Sequence, residues 1–167
     1  MARLTPRMSD DESRAWLSLI AVAELLPVAL DAQLREDSDL TNVEFRVLSA
    51  LKQSPHTTMR AGELARILSS NMPRVSKVIT RMEERGFVTR KTVAGDRRAV
   101  DVVLTQAGRK ALIHALPGHL DYVRATVFDH LSERELRTLG DALEPLMQRL
   151  DRTGQFACDP VTPDAAS

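Results

Sequence analysis

Apolar and polar residues follow two different periods along this chain, and the change from one to the other organises the reading. Residues 10–35, which carry the apolar Trp16, Leu17, Ile20, Leu25 and Leu26, predict a long first helix with Pro27 as its kink point. Thr41 followed by Glu44 is a capping-box pattern opening a second helix through about Gln53. Two short helices are expected from residue 58 onward. In the second of them, residues 72–85, Val75, Val78, Ile79 and Met82 stand at i, i+3, i+4 and i+7 and form one apolar stripe. Pro73 falls in its first turn, where a missing N–H is tolerated, Ser70 or Asn71 can cap it, and Gly86 stops it. At residue 87 the period drops to two: FVTRKTV is β-rich, AGD is a turn, and Val100, Val102 and Leu104 alternate in a second β-rich run. This predicts a two-stranded hairpin over residues 87–104. Thr105 can cap a fifth helix running toward His130, bent or broken at Pro117 and Gly118. Ser132 with Glu135 opens a last helix carrying Leu136, Leu139, Leu143, Leu146 and Leu150 on one side.

Helix, turn, helix and then a hairpin is the order of a winged helix-turn-helix. The expected fold class is mainly α (α+β), a winged helix-turn-helix with long N- and C-terminal dimerisation helices. Residues 1–9 and 152–167 read as flexible tails, 10–35 and 106–151 as helical arms, and 36–105 as the winged module. No internal repeat is present. A chain of 167 residues with a 43% hydrophobic fraction suits one domain with arms. The arms carry more apolar surface than a small module covers. Dimerisation through them would bury both stripes and set two copies of helix 72–85 roughly 34 Å apart, one turn of duplex DNA. Packing within a single chain is the alternative.

Charge sharpens the picture. The whole chain nets zero, yet residues 59–110 hold twelve basic and five acidic residues, an excess of +7. A basic stripe of this kind is the footprint of phosphate contact, against the plainer alternative of a solvated charged face. On helix 72–85 the basic residues Arg74, Lys77 and Arg81 lie beside Ser76 and Thr80, away from the apolar stripe, while Glu83 and Glu84 stand at its C-terminal end. That polarity favours entry of the N-terminal half into a major groove. Asn71, Met72, Pro73, Arg74, Ser76, Lys77 and Arg81 are therefore the candidate recognition residues. Arg97 and Arg98 sit at or just past the hairpin tip, where an arginine reaches the minor groove, and Asp96 reads as a brace for a neighbouring arginine. Only six residues are aromatic, which disfavours stacking on single strands and leaves duplex DNA as the expected partner.

The run RMEERGFVTRK from Arg81 to Lys91, followed by GDRRAVDVVLTQAG from Gly95 to Gly108, resembles the recognition-helix end and wing of the MarR family of transcriptional regulators, with its Asp-x-Arg tip and Leu-Thr-x-x-Gly exit. The resemblance covers about 140 residues. It implies a winged-helix homodimer on pseudo-palindromic operators, usually a repressor, often released by a small ligand. By position it makes Asp96 the wing aspartate and Arg98 the minor-groove arginine. Pro73 departs from the small residue often found at its position. The resemblance also implies that a ligand, where one is used, often sits where the dimerisation helices meet the DNA-binding lobe. Trp16, Ile20, Phe45 and Tyr122 could line such a cleft for an aromatic or phenolic effector, or serve simply as core.

Other classes fare less well. No glycine-rich phosphate loop and no G-x-S-x-G elbow is present, so no enzyme is expected, and no cofactor. His56, His114, His119 and His130 are scattered without metal-ligand spacing. Cys158, the single cysteine, has no adjacent cation to lower its pKa and reads as an inert thiol. The polar N-terminus shows no signal peptide, and the longest apolar stretch is interrupted by Glu24 and Asp31. A cytoplasmic protein without a membrane span is the expectation. The module as a protein-contact or non-specific DNA-binding unit is the remaining alternative to an operator binder.

Overall fold

A computed structural model describes residues 8–93 and 96–151, with residues 93 and 96–99 described by their backbone alone. The expected tails lie almost wholly outside the described residues. Among those described, the chain runs α1 (Asp10–Ser38), α2 (Asn42–Gln53), a 3-10 turn at Pro55–Thr57, β1 (Thr58–Arg60), α3 (Ala61–Ile67), α4 (Met72–Glu84), β2 (Val88–Val93), β3 (Asp96–Leu104), α5 (Gln106–Val123), a π-helical turn (Arg124–Phe128) and α6 (Glu133–Leu150).

Local chemistry explains most boundaries. Ser9, Thr41 and Ser132 each close a reciprocal capping box with Glu12, Glu44 and Glu135. Asn71 caps α4 by accepting from the Arg74 N–H, and Pro73 sits within the first turn. At the other end of α4, Gly86 takes φ +72°. The Gly86 N–H donates to the Glu83 carbonyl and the Phe87 N–H to the Met82 carbonyl, which satisfies the last turn in a Schellman arrangement.

The hairpin expected from the sequence is part of a larger sheet. β1 pairs antiparallel with β3, giving the order β1-β3-β2. Three residues are too few to show alternation, so β1 is invisible to periodicity. It is recruited by the free edge of β3 and fastened by an ion pair between register partners, Arg60 Nε and Asp101 Oδ1, 2.9 Å apart. A second departure concerns α5, which runs through Pro117 and Gly118 without interruption and becomes irregular only at the π turn. Proline removes one ladder bond there, but tertiary packing holds the segment. A Cβ at Gly118 would lie 3.3 Å from Asp37 Oδ2, and His119 Nδ1 stands 3.2 Å from Gln33 Oε1, so this part of α5 is docked on the end of α1.

The core belongs to the winged lobe. Leu34, Leu40, Leu48, Leu51, Leu64, Val75, Ile79, Met82, Val88 and Val102 are buried together, closed by Leu112 and Ala115 from the start of α5. The arms contribute little: only Gln33 and Leu34 of α1 are buried, and no residue of α6 is. Trp16, Leu17, Val22, Leu25 and Val28 on α1, and Leu139, Leu143, Leu146 and Leu150 on α6, are all exposed. Contrary to the sequence expectation, α1 is long and apolar enough, by length and composition, to cross a membrane. Glu24 and Asp31 do not dilute its apolar content enough to prevent this. A helix that covers its apolar side with a protein partner has the same composition.

Candidate nucleic-acid interface

α3 and α4 meet across a tight turn, Leu68 to Asn71, in which Ser69 adopts φ +49°. The Ser69 and Ser70 N–H groups donate to the Arg66 and Ala65 carbonyls, and Arg46 of α2 reaches the Ile67 carbonyl at 2.8 Å, tying off the end of α3. The turn delivers α4 onto the lobe with Val75, Ile79 and Met82 inward. Met72, Pro73, Arg74, Ser76, Lys77 and Thr80 are left exposed on the other side, with the Asn71 side chain spent on the cap. Five of the seven predicted recognition residues thus share the exposed N-terminal half of one helix, and a sixth, Asn71, caps it.

Arg81 is held differently. Its Nε donates to Glu44 Oε1 at 3.0 Å, and its side chain is half exposed. Glu44 is 1% exposed and accepts from the Thr41 backbone N–H and hydroxyl, each at 2.8 Å. Burial pushes this carboxyl up, but the Thr41 hydrogen bonds and the charges of Arg81 and Arg85 outweigh it, leaving Glu44 below the usual carboxylate value. Arg85 places Nη1 3.5 Å from both Glu44 oxygens and Nη2 2.8 Å from the Asp39 carbonyl and carboxylate, with its guanidinium 4.5 Å over the Phe87 ring.

The wing is moored to the same helix. Arg90 of β2 donates through Nη2 to the Ser76 carbonyl and the Thr80 hydroxyl, its backbone N–H donates to Glu83 Oε1 at 3.1 Å, and its Nε lies 3.6 Å from Glu83 Oε2. Neither this mooring nor the approach of Arg81 and Arg85 to Glu44 and Asp39 is legible in the sequence, where only the Thr41–Glu44 capping box shows. The mooring joins residues 7–14 positions apart and the arginine contacts residues 37–46 apart, with no shared spacing signal. The wing-tip side chains Asp96, Arg97 and Arg98 lie outside the described residues; along the backbone β3 begins at Asp96, so Asp96, expected within the turn, and Arg97 and Arg98, expected at or just past the tip, are the first residues of the strand.

Of the residues considered for a ligand cleft, Phe45 is buried and its ring centroid stands 4.3 Å from that of His119, while Trp16 is half exposed and Ile20 and Tyr122 are half-buried. Burial lowers the His119 imidazole below its ordinary value. A separate cleft of about 230 Å³ opens at the helix-turn-helix itself, between Val43 of α2, Leu68 of the turn, and Arg74 and Val78 of α4.

This geometry has close counterparts. The MarR family model matches residues 38–99, the span from the end of α1 into the start of β3. An HTH-type transcriptional regulator of Bacillus cereus is 31% identical over 128 residues, covering 76% of this chain and 82% of that protein. The crystal structure of AbsC, a MarR family regulator from Streptomyces coelicolor, superposes with a TM-score of 0.80 at 32% identity, covering 87% of this chain and 98% of AbsC. The chain belongs to the MarR family. It is thus a DNA-binding transcriptional regulator of winged helix-turn-helix fold, as the wing and exit motifs imply. A second Streptomyces coelicolor MarR regulator, Sco3205, solved in complex with DNA, matches with a TM-score of 0.82 at 31% identity over 91% of this chain and 95% of that one.

Proposed function

We propose that this MarR-family chain is a homodimeric, cytoplasmic repressor that binds a pseudo-palindromic operator in double-stranded DNA and is released by a small aromatic or phenolic ligand. The observation that carries the reading is the two-sidedness of α4. Val75, Ile79 and Met82 are buried, while Met72, Pro73, Arg74, Ser76 and Lys77 are exposed at the N-terminal half. That half enters the major groove, with Arg74 on base edges and Lys77 on phosphate. Arg98 enters the minor groove, and Asp96 and Arg97 complete the wing contact.

Dimerisation is supported by the apolar residues left exposed on α1 and α6, which have no cover among the described residues. A two-fold dimer would space two α4 helices by roughly 34 Å and so require an inverted repeat. The effector would lodge between arms and lobe, with Trp16, Ile20 and Tyr122 as walls and Phe45 as floor. It would act by preferring one separation of the two lobes.

Selection of bound duplexes from a random DNA pool, followed by affinity against salt, tests the reading. An inverted repeat with affinity falling steeply as salt rises supports it. Weak, uniform binding without a motif rejects it in favour of a protein-contact or packaging module.

A further inference from the structure

α4 is joined to the rest of the lobe by more than its apolar face. Behind the exposed half of the helix, one buried carboxylate gathers two arginines from its C-terminal half. Glu44 Oε1 takes the Arg81 Nε–H at 3.0 Å, and Arg85 Nη1 lies 3.5 Å from both Glu44 oxygens. The carboxylate is itself fixed by the Thr41 N–H and hydroxyl, and Arg81 Nη2 is 3.4 Å from that same hydroxyl. The start of α2 is fixed in turn, because the Asn42 N–H donates to Asp31 Oδ1 of α1 at 2.8 Å. Arg85 also holds the left-handed residue that ends α1, through the Asp39 carbonyl and carboxylate. The chain of contacts runs from the dimerisation arm, through Asp31 and Asp39, to Glu44, and from Glu44 to the helix that faces DNA.

Apolar packing is tolerant of small rotations, whereas hydrogen bonds to a fixed carboxylate are directional. A guanidinium held through Nε cannot swing to a phosphate without leaving a buried carboxylate short of a partner, and that penalty opposes the swing.

We propose that Glu44 is the positioning residue of the recognition helix, that Arg81 and Arg85 serve it as the two arms of a clamp, and that Arg81 acts inward on Glu44 instead of contacting DNA. The proposal rests on the reading of α4 as the DNA-facing helix. It assigns the clamp to sequence discrimination: the clamp sets the angle at which Arg74 and Ser76 meet the bases, while phosphate contact depends on other residues.

The test uses the full chain and three variants, Glu44→Gln, Arg81→Met and the double. Each is measured against the operator recovered by selection and against an unrelated duplex of equal length, with thermal unfolding recorded alongside. Either single substitution is expected to lower the ratio of specific to non-specific affinity by about tenfold, the scale of one charge-assisted hydrogen bond. The double variant should lose no more than Glu44→Gln alone, because that substitution already weakens the Arg81 contact that Arg81→Met removes. The salt slope should stay unchanged in all three, since no phosphate contact is lost. Arg81 sits at a half-exposed position, so its substitution leaves a folded protein even if Glu44→Gln does not. The proposal is overturned if Glu44→Gln binds the operator as well as the parent chain while Arg81→Met loses affinity for both duplexes with a shallower salt slope. That pair of results would mark Arg81 as a phosphate contact. If the parent chain selects no motif, the functional reading fails, and the clamp is then judged on the DNA-free protein. Amide exchange across Met72–Glu84 about tenfold faster in both single variants supports it, and parental rates reject it.

Discussion

Gly108 of α5 packs so closely on the backbone of Phe87 that a Cβ there would collide with the Phe87 carbonyl oxygen and come 2.9 Å from Leu104 Cδ1. The glycine of the Leu-Thr-x-x-Gly exit is therefore a packing requirement at the point where the wing hands the chain to the arm. Thr105 completes the joint: its hydroxyl reaches the Gly86 and Phe87 carbonyls and accepts from the Gly108 N–H. Alanine normally stabilises a helix over glycine by about 1 kcal/mol. Gly108→Ala should instead destabilise by about 1–3 kcal/mol, because the neighbour that must move is backbone. Denaturant unfolding decides the sign; a raised midpoint would remove the close approach from the account.

Acid should weaken the lobe in two losses with different onsets, one below pH 6.5 and one below pH 4.5. Burial against Phe45, beside the Gln33 that in turn holds Asp37, disfavours the charged His119 imidazole and lowers its pKa from 6.5. The unfolded chain then takes up the proton first, so the stability tied to the neutral ring is complete above pH 6.5 and is lost as pH falls through the lower folded value. Glu44 is lowered from 4.5, so its contribution is present above that value and is lost only as pH falls through its own folded pKa. His119→Gln should remove the first loss and keep the second. Thermal unfolding followed from about pH 7 down to about pH 3 reads both, and an unchanged profile in the variant would exclude His119 as the source of the first.

The exposed face of α4 and the wing divide their work. Arg74→Ala should relax sequence preference, with a mismatch cost of about 1–3 kcal/mol disappearing at the base it reads. Lys77→Ala should weaken binding on all sequences and reduce the salt slope by about one. Arg98→Ala should weaken operator binding with the melting temperature intact. Equal losses on every duplex for Arg74 and Lys77 variants would reject the division, and parental operator affinity for the Arg98 variant would reject the wing contact.

A charge placed in the α6 stripe should separate the arms and spare the lobe. Leu143 is 40% exposed and α6 supplies nothing to the core, so Leu143→Glu leaves the winged fold standing. Sedimentation velocity should show the parent chain as a dimer and the variant as a monomer, with far-ultraviolet circular dichroism close to the parent's. A dimeric variant would move the interface away from α6.

The elements legible in the sequence are those specified by short-range chemistry. The capping residues Thr41, Thr105 and Ser132, the stop at Gly86 and the stripe Val75, Val78, Ile79 and Met82 act within one or two turns, so their spacing states the outcome. The change of period at residue 87 marks the wing for the same reason, and the family follows from the motifs on either side of the wing tip. Only the tertiary structure decided that Thr58–Arg60 is a strand, since its pairing comes from β3 some 40 residues away. It also decided that α5 continues through Pro117, since the docking of Gly118 and His119 on α1 outweighs the missing hydrogen bond. Most of all, it separated Arg81 from Arg74 and Lys77. All three are basic residues on one amphipathic helix, and local spacing treats them alike. Only the long-range approach of Glu44 turns Arg81 inward, because a buried carboxylate needs a partner and finds it 37 residues along the chain.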